Sequence, residues 1–208
     1  MVKALAIVIV LVVVFLAGPR VEIDPAVSLV DLPENLDGFL KDRESRFSDI
    51  VPGTEKNIVW AGAPGTKTQY SVVYIHGFSA TRKETAPLSD KVARSLEANL
   101  FCTRLTGHGR TGPALADATV NDWLNDVLEA YEIGARLGKK VILIGGSTGG
   151  TAVAWLAHRA GAENSMAALH SCIFLSPNFK PADPFAMILT WPWGQQMAQL
   201  IIGKERSW

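Results

Sequence analysis

A serine set among glycines, Gly145-Gly146-Ser147-Thr148-Gly149, follows four large aliphatic residues in "VILIGGSTGG" (141–150). The spacing is G-x-S-x-G. Glycine weakens regular structure unless the backbone must turn sharply or approach another segment closely. A strand that runs straight into a helix through such a turn lifts the serine hydroxyl above the sheet edge, in strained backbone. The chemistry this suits is nucleophilic attack on an acyl carbon, with Ser147 as nucleophile. The Thr148 backbone N–H, in the electropositive first turn of the helix, would donate to the developing oxyanion. Gly145 and Gly149 are expected where the chain crowds itself around the serine. The elbow matches neither G-x-x-x-x-G-K-[ST] nor G-x-G-x-x-G, so it is not one of the common phosphate-binding loops.

A second group of interest closes the run "VVYIHGFSA" (72–80). His76-Gly77-Phe78 stands at the end of an apolar strand, the place from which a second oxyanion donor comes in strand–turn–helix hydrolases. We assign that donor to the Phe78 backbone N–H and read His76 as a structural hydrogen-bonding residue. The other histidines are His108, His158 and His170, and the four together make no HxxxH or HExxH ligand pattern. The two cysteines, Cys102 and Cys172, have neither metal-ligand nor disulfide-framework spacing and sit in apolar, strand-like runs.

These groups need a scaffold, and the pattern from residue 57 onward supplies one. Short β-rich runs at 57–62 and 70–77, separated by Gly/Pro turn residues, are expected to form a hairpin. Strands are expected at 99–105, 139–146 and 170–177. Helices are expected in the second half of 81–98, at 119–138 with Thr119 or Asn121 as cap, and at 151–161. Strands alternating with helices give an α/β fold around a mostly parallel sheet. In that order Cys102 and Cys172 fall on strands separated by others, too far apart for a disulfide.

Three stretches, "VVYIHGFSA", "TRLTGHGRTG" (103–112) and "VILIGGSTGG", together resemble the α/β-hydrolase fold, and most closely its lysophospholipase and monoacylglycerol-lipase branch. The resemblance covers about residues 57–180. It implies hydrolysis of a carboxylic ester through an acyl-enzyme on Ser147, with Phe78 and Thr148 holding the oxyanion. It makes Gly107-His108-Gly109 a structural turn near the site. It requires no cofactor and no metal. The triad order of this fold is Ser…Asp/Glu…His. Asp183, in the loop "SPNFKPADP", is the candidate acid. His158 and His170 fall in a helix and a strand, so the His base is not expected within the chain. The C-terminal strands of the fold are likewise not found. The resemblance therefore implies a partial α/β-hydrolase core over 57–183 and the start of an apolar cap over 184–208, inactive by itself. Amide hydrolysis on the same fold, and a tethered module without catalysis, remain open alternatives.

Composition narrows the partners. Lys and Arg total 20 and so do Asp and Glu, with no basic cluster, which gives no electrostatic case for nucleic acid. The substrate is expected to be a small ester molecule. Residues 4–18, "ALAIVIVLVVVFLAG", carry no charge. As a helix they would span about 22 Å, less than the roughly 30 Å hydrocarbon core. Phe15 or Pro19 would spoil the nearby cleavage positions of a signal peptide. Residues 1–20 are therefore expected to be an N-terminal membrane anchor, a transmembrane helix left uncleaved, or else a signal sequence; residues 21–56 are expected to be a stalk with one short helix, and the catalytic part extracytoplasmic.

Overall fold

The structure, a computed structural model, describes residues 2–20, 24–180, 187, 190–194, 196–197 and 200. It divides into two compact units, Asp24–Phe179 and the two chain ends together.

The larger unit is built on a five-stranded sheet. Its strands are β1 (Asn57–Val59), β2 (Thr68–Ile75), β3 (Asn99–Cys102), β4 (Gly138–Gly146) and β5 (Leu169–Leu175), in the spatial order β1-β3-β2-β4-β5. All neighbours are parallel except β1, which pairs antiparallel with β3. The expected hairpin between the 57–62 and 70–77 runs therefore does not form. Burial explains why. Val72, Val73, Tyr74 and Ile75 are fully buried under helices on both faces, which suits the sheet centre where β3 and β4 flank β2, whereas β1 alternates exposed and buried as an edge strand does. Cys102 on β3 and Cys172 on β5 are separated by β2 and β4, and both are free thiols.

Helices cover both faces. The helices are α2 (Leu36–Glu44), α3 (Leu88–Ser95), α4 (Gly112–Asp117), α5 (Val120–Leu137) and α6 (Ser147–Ala162). On one face Val73, Ile75, Val141 and Leu143 pack with Val127, Leu128, Tyr131 and Ile133 of α5 and with Val153 and Leu156 of α6. On the other, Val72, Tyr74, Leu100, Ile142 and Ile144 pack with Ala93 of α3. Successive strand residues thus feed opposite layers, as a pleat requires. A capping box starts α5: Thr119 Oγ1 accepts the Asp122 N–H at 3.1 Å, and Asp122 Oδ2 accepts the Thr119 N–H at 2.8 Å. The short helix α4 was not expected, although Thr111 caps it and Pro113 stands in its first turn.

The segment expected as a stalk carries α2. Asn35 Oδ1 caps it through the Gly38 N–H at 2.9 Å, and Leu36 and Leu40 are buried in the core of the larger unit. A buried charge cluster joins it to the rest. Arg104 grips Glu44 with Nε and Nη2 at 2.7 and 2.8 Å, and Glu44 also accepts the Lys56 N–H at 2.9 Å. Lys56 Nζ sits between Asp126, at 3.0 Å, and Glu129, which Arg43 also contacts. Burial disfavours the Lys56 charge, yet Asp126 and Glu129 outweigh it and hold the ammonium above its usual pKa.

In the smaller unit, residues 2–16 form the apolar helix α1 (Val2–Leu16). No helix among the described residues is long and apolar enough to cross a membrane, which corrects the expectation of a transmembrane helix. Its fifteen residues rise only about 22 Å. Within this unit the Trp191 ring meets Phe15 edge-on at 6.2 Å, and Trp193 Nε1 donates to the Val14 carbonyl at 3.1 Å. Much of 184–208, expected to begin a cap, lies outside the described residues, as does Asp183.

Candidate active site

Ser147 stands where β4 becomes α6, with φ at +46°. Only glycine adopts that region without cost, so a serine held there stores backbone strain of about 1–3 kcal/mol. The neighbouring glycines make the turn sterically possible. A Cβ on Gly145 would lie 2.6 Å from the Gly150 Cα, and one on Gly149 would lie 2.4 Å from the carbonyl oxygens of both Ile75 and His76. The crowding expected around the serine is therefore of two kinds: Gly145 abuts the new helix, and Gly149 abuts the end of β2. The Thr148 N–H belongs to the first turn of α6, where N–H groups have no acceptor within the helix.

The turn expected to supply the second donor, the Phe78 N–H, is fixed by His76. His76 Nε2 accepts the Leu105 N–H at 3.1 Å, so the ring proton sits on Nδ1, which donates to the Gly77 carbonyl at 2.8 Å. In a trans peptide the carbonyl and the next N–H point opposite ways, so this bond turns the Phe78 N–H away from the His76 ring. His76 is fully buried, and burial pushes its pKa down to about 4. It therefore stays neutral at physiological pH, in the only form that can both accept from Leu105 and donate to Gly77.

That assignment carries a pH signature. An unfolded histidine titrates near 6.5. Stability from neutral His76 is thus fully present above that value and is lost as the pH falls toward 4. Between pH 7 and 4.5 the loss is about 2–3 kcal/mol. His108, also held below its usual value by burial, adds in the same direction. Urea unfolding at the two pH values checks this: His76→Gln should show a clearly shallower pH dependence than the wild type, and an unchanged slope contradicts the assignment.

Gly107 and Gly109 both take positive φ, +80° and +65°, and make the turn that presents His108. Arg104 Nη1 holds the His108 carbonyl at 3.1 Å, and Asp126 Oδ2 accepts the Thr106 N–H at 2.6 Å. The buried charge cluster thus fixes this turn. The His108 ring lies against His76 at 4.8 Å, tilted by 58°, and meets Phe78 and Trp123 at 6.0 and 5.4 Å. Phe78 itself is 54% exposed. Together Phe78, His108 and Trp123 form an aromatic wall beside the Gly77–Phe78 turn.

The remaining histidines are elsewhere. His158 is exposed on α6, eleven residues from Ser147 and so about 16 Å along the helix axis. His170 lies near the start of β5, against the Tyr70 ring at 5.5 Å, at the end of the sheet opposite the elbow. Among the described residues no histidine or carboxylate hydrogen-bonds to Ser147. No group of metal-binding residues occurs among them either. A cleft of about 670 Å³ between β1 and α3, lined by Trp60, Thr66 and Arg94, shares no residue with this site.

Sequence reasoning missed Glu84. Its Oε2 accepts the Gly77 N–H at 2.9 Å and the Tyr74 hydroxyl at 3.0 Å. It lies in an irregular loop with no periodic or motif signal to mark it.

Comparison with known proteins agrees with this geometry. No curated protein shows significant sequence similarity to the chain. Among solved structures, one of the metagenome-derived lipolytic enzymes LipS and LipT is similar at 22% identity and a TM-score of 0.57, over 67% of this chain and 52% of that one. The esterase Est1E from Butyrivibrio proteoclasticus, solved with ferulic acid bound, is 20% identical over 75% of this chain and 58% of that one, with a TM-score of 0.47. The chain thus spans about half the length of the lipolytic enzyme, and at 22% identity the likeness to it is one of fold. The model of the alpha/beta hydrolase family matches residues 72–207, through β2, the His76-Gly77-Phe78 turn and the Ser147 elbow. A match over well over half of the sequence, on a sheet and elbow of this form, shows that the chain belongs to the alpha/beta hydrolase family.

Proposed function

We propose that this protein is a serine hydrolase that cleaves apolar carboxylic esters through an acyl-enzyme on Ser147. The observation that carries the reading is the serine itself, held at φ +46° at a strand-to-helix junction beside two oriented backbone donors. Ser147 Oγ attacks the ester carbonyl carbon. The carbonyl oxygen becomes an oxyanion between the Phe78 and Thr148 N–H groups. The C–O bond to the alcohol then breaks, the alcohol leaves with the proton taken from Ser147, and water releases the acid in a second, equivalent step. The proton passes through a general base that comes from outside the described residues.

The aromatic wall of Phe78, His108 and Trp123 supports an apolar acyl or alcohol group, as in lysophospholipids or monoacylglycerols. The N-terminal helix supports attachment to a membrane. It is uncharged from residue 4 to residue 18, and side chains along it, such as Leu5 and Leu11 at 62%, are exposed. A lipid leaflet covers such a surface without being crossed.

One observation favours a second reading, a membrane-tethered module without catalysis: no base stands beside Ser147 among the described residues. A panel of p-nitrophenyl esters and matching anilides, assayed on membrane and soluble fractions of cells expressing the gene, separates the two. The esterase reading expects activity in the membrane fraction, at least about tenfold higher for acyl chains of six or more carbons than for acetate. Hydrolysis of anilides alone would move the assignment to amides. No turnover of either class would leave the tethered module.

A further inference from the structure

We propose that Glu84 is a positioning residue that staples the oxyanion turn to the end of β2, an inference that rests on the serine hydrolase reading. One carboxylate oxygen, Oε2, takes two donors three residues apart on the same segment: the Tyr74 hydroxyl at 3.0 Å and the Gly77 N–H at 2.9 Å. Tyr74 is fully buried, so the carboxylate is anchored from the core side. The Gly77 carbonyl is already held by His76 at 2.8 Å. Gly77 is thus fixed at both its N–H and its C=O, and the peptide that carries the Phe78 N–H has no freedom to rotate. Preorganised donors of this kind are what stabilise an oxyanion without reorganisation during the reaction.

The same carboxylate accounts for glycines that the G-x-S-x-G spacing leaves unexplained. A Cβ on Gly77 would lie 2.8 Å from Glu84 Oε1 and 3.1 Å from the Ser147 Cβ. A Cβ on Gly146 would lie 3.0 Å from Glu84 Oε2 and 3.4 Å from the Tyr74 hydroxyl. Glu84 therefore occupies the space that both glycines leave empty, against the residue before the nucleophile and the residue before the second donor. A side chain at either position would push the carboxylate off its two donors. The loop bearing Glu84 is itself turned back by the Glu84 N–H on the Thr81 carbonyl at 3.0 Å.

A negative charge near an oxyanion opposes it, so the role is that of a hydrogen-bond acceptor and not of a charge. This makes the neutral isostere diagnostic. Ester hydrolysis by the full-length protein should fall about 10- to 100-fold in kcat for Glu84→Ala, with KM within about twofold. Glu84→Gln, whose amide oxygen can still accept both donors, should retain at least a third of wild-type kcat. Amide hydrogen exchange gives a readout that needs no turnover. In Glu84→Ala the Gly77 N–H should exchange at least about tenfold faster, while the Val73 N–H in β2 keeps its protection. Unchanged Gly77 exchange, unchanged kcat in Glu84→Ala, or a Glu84→Gln as impaired as Glu84→Ala overturns the proposal. If Ser147→Ala hydrolyses the ester as fast as wild type, the serine hydrolase reading has failed instead, and the exchange result still decides the bond from Glu84 to Gly77.

Discussion

Ser147→Ala should lower ester hydrolysis at least about 10³-fold while leaving the fold as stable as the wild type. The activity loss follows because the substitution removes the hydroxyl on which the acyl-enzyme would form. The unchanged stability follows because alanine meets the same penalty at φ +46° that serine does. Ser147→Gly makes the argument sharper. Glycine relieves the strain, so that variant should be about 1 kcal/mol more stable than wild type by urea unfolding and equally inactive. A gain in stability with a loss of activity at one residue is the mark of backbone held in place for chemistry. A Ser147→Gly variant that unfolds at lower urea than wild type would show that the elbow is not strained.

The largest effect on stability should come from Lys56→Met. Lys56 is buried between Asp126 and Glu129, and its removal leaves two buried carboxylates with only part of their compensation, Arg43 on Glu129 and the Thr106 N–H on Asp126. Breaking such a cluster by deleting one partner costs about 3–5 kcal/mol. For a domain of this size that lowers Tm by about 10 °C. The loss reaches the site, because Asp126 and Arg104 hold the turn of Gly107, His108 and Gly109. Removing all three charges together, with Asp126→Leu and Glu129→Leu added, should recover part of the loss, since no uncompensated charge then remains buried. A cost below about 1 kcal/mol for Lys56→Met in urea unfolding would mean that the cluster does not hold the unit together.

The elbow was legible because its signal is local. Four aliphatics, a G-x-S-x-G and an amphipathic run lie within thirty residues, and strand, turn and helix followed in the predicted order. Helix α5 was legible for the same reason, and its cap is Thr119, one of the two candidates the sequence offered. The partner of β1 was not. Proximity along the chain favours a hairpin with β2, but β2 is buried on both faces and takes β3 and β4 as neighbours, a choice fixed by burial across the whole sheet. The charge cluster was invisible for a similar reason: Glu44, Lys56, Arg104, Asp126 and Glu129 are scattered over 86 positions and meet only in the fold. Glu84 is the plainest case. Nothing around it in the sequence separates it from a solvated loop acid, and only the convergence of Tyr74 and Gly77 on one oxygen reveals what it does.

The central claim is that Ser147 is an activated nucleophile, and covalent capture tests it most directly. The full-length protein is treated with a fluorophosphonate probe, digested, and the modified peptide read by mass spectrometry. The account predicts a phosphonyl adduct on Ser147, suppressed by prior incubation with a long-chain ester and absent from Ser147→Ala. A folded protein that takes up no adduct, or takes it up on another residue, would contradict it.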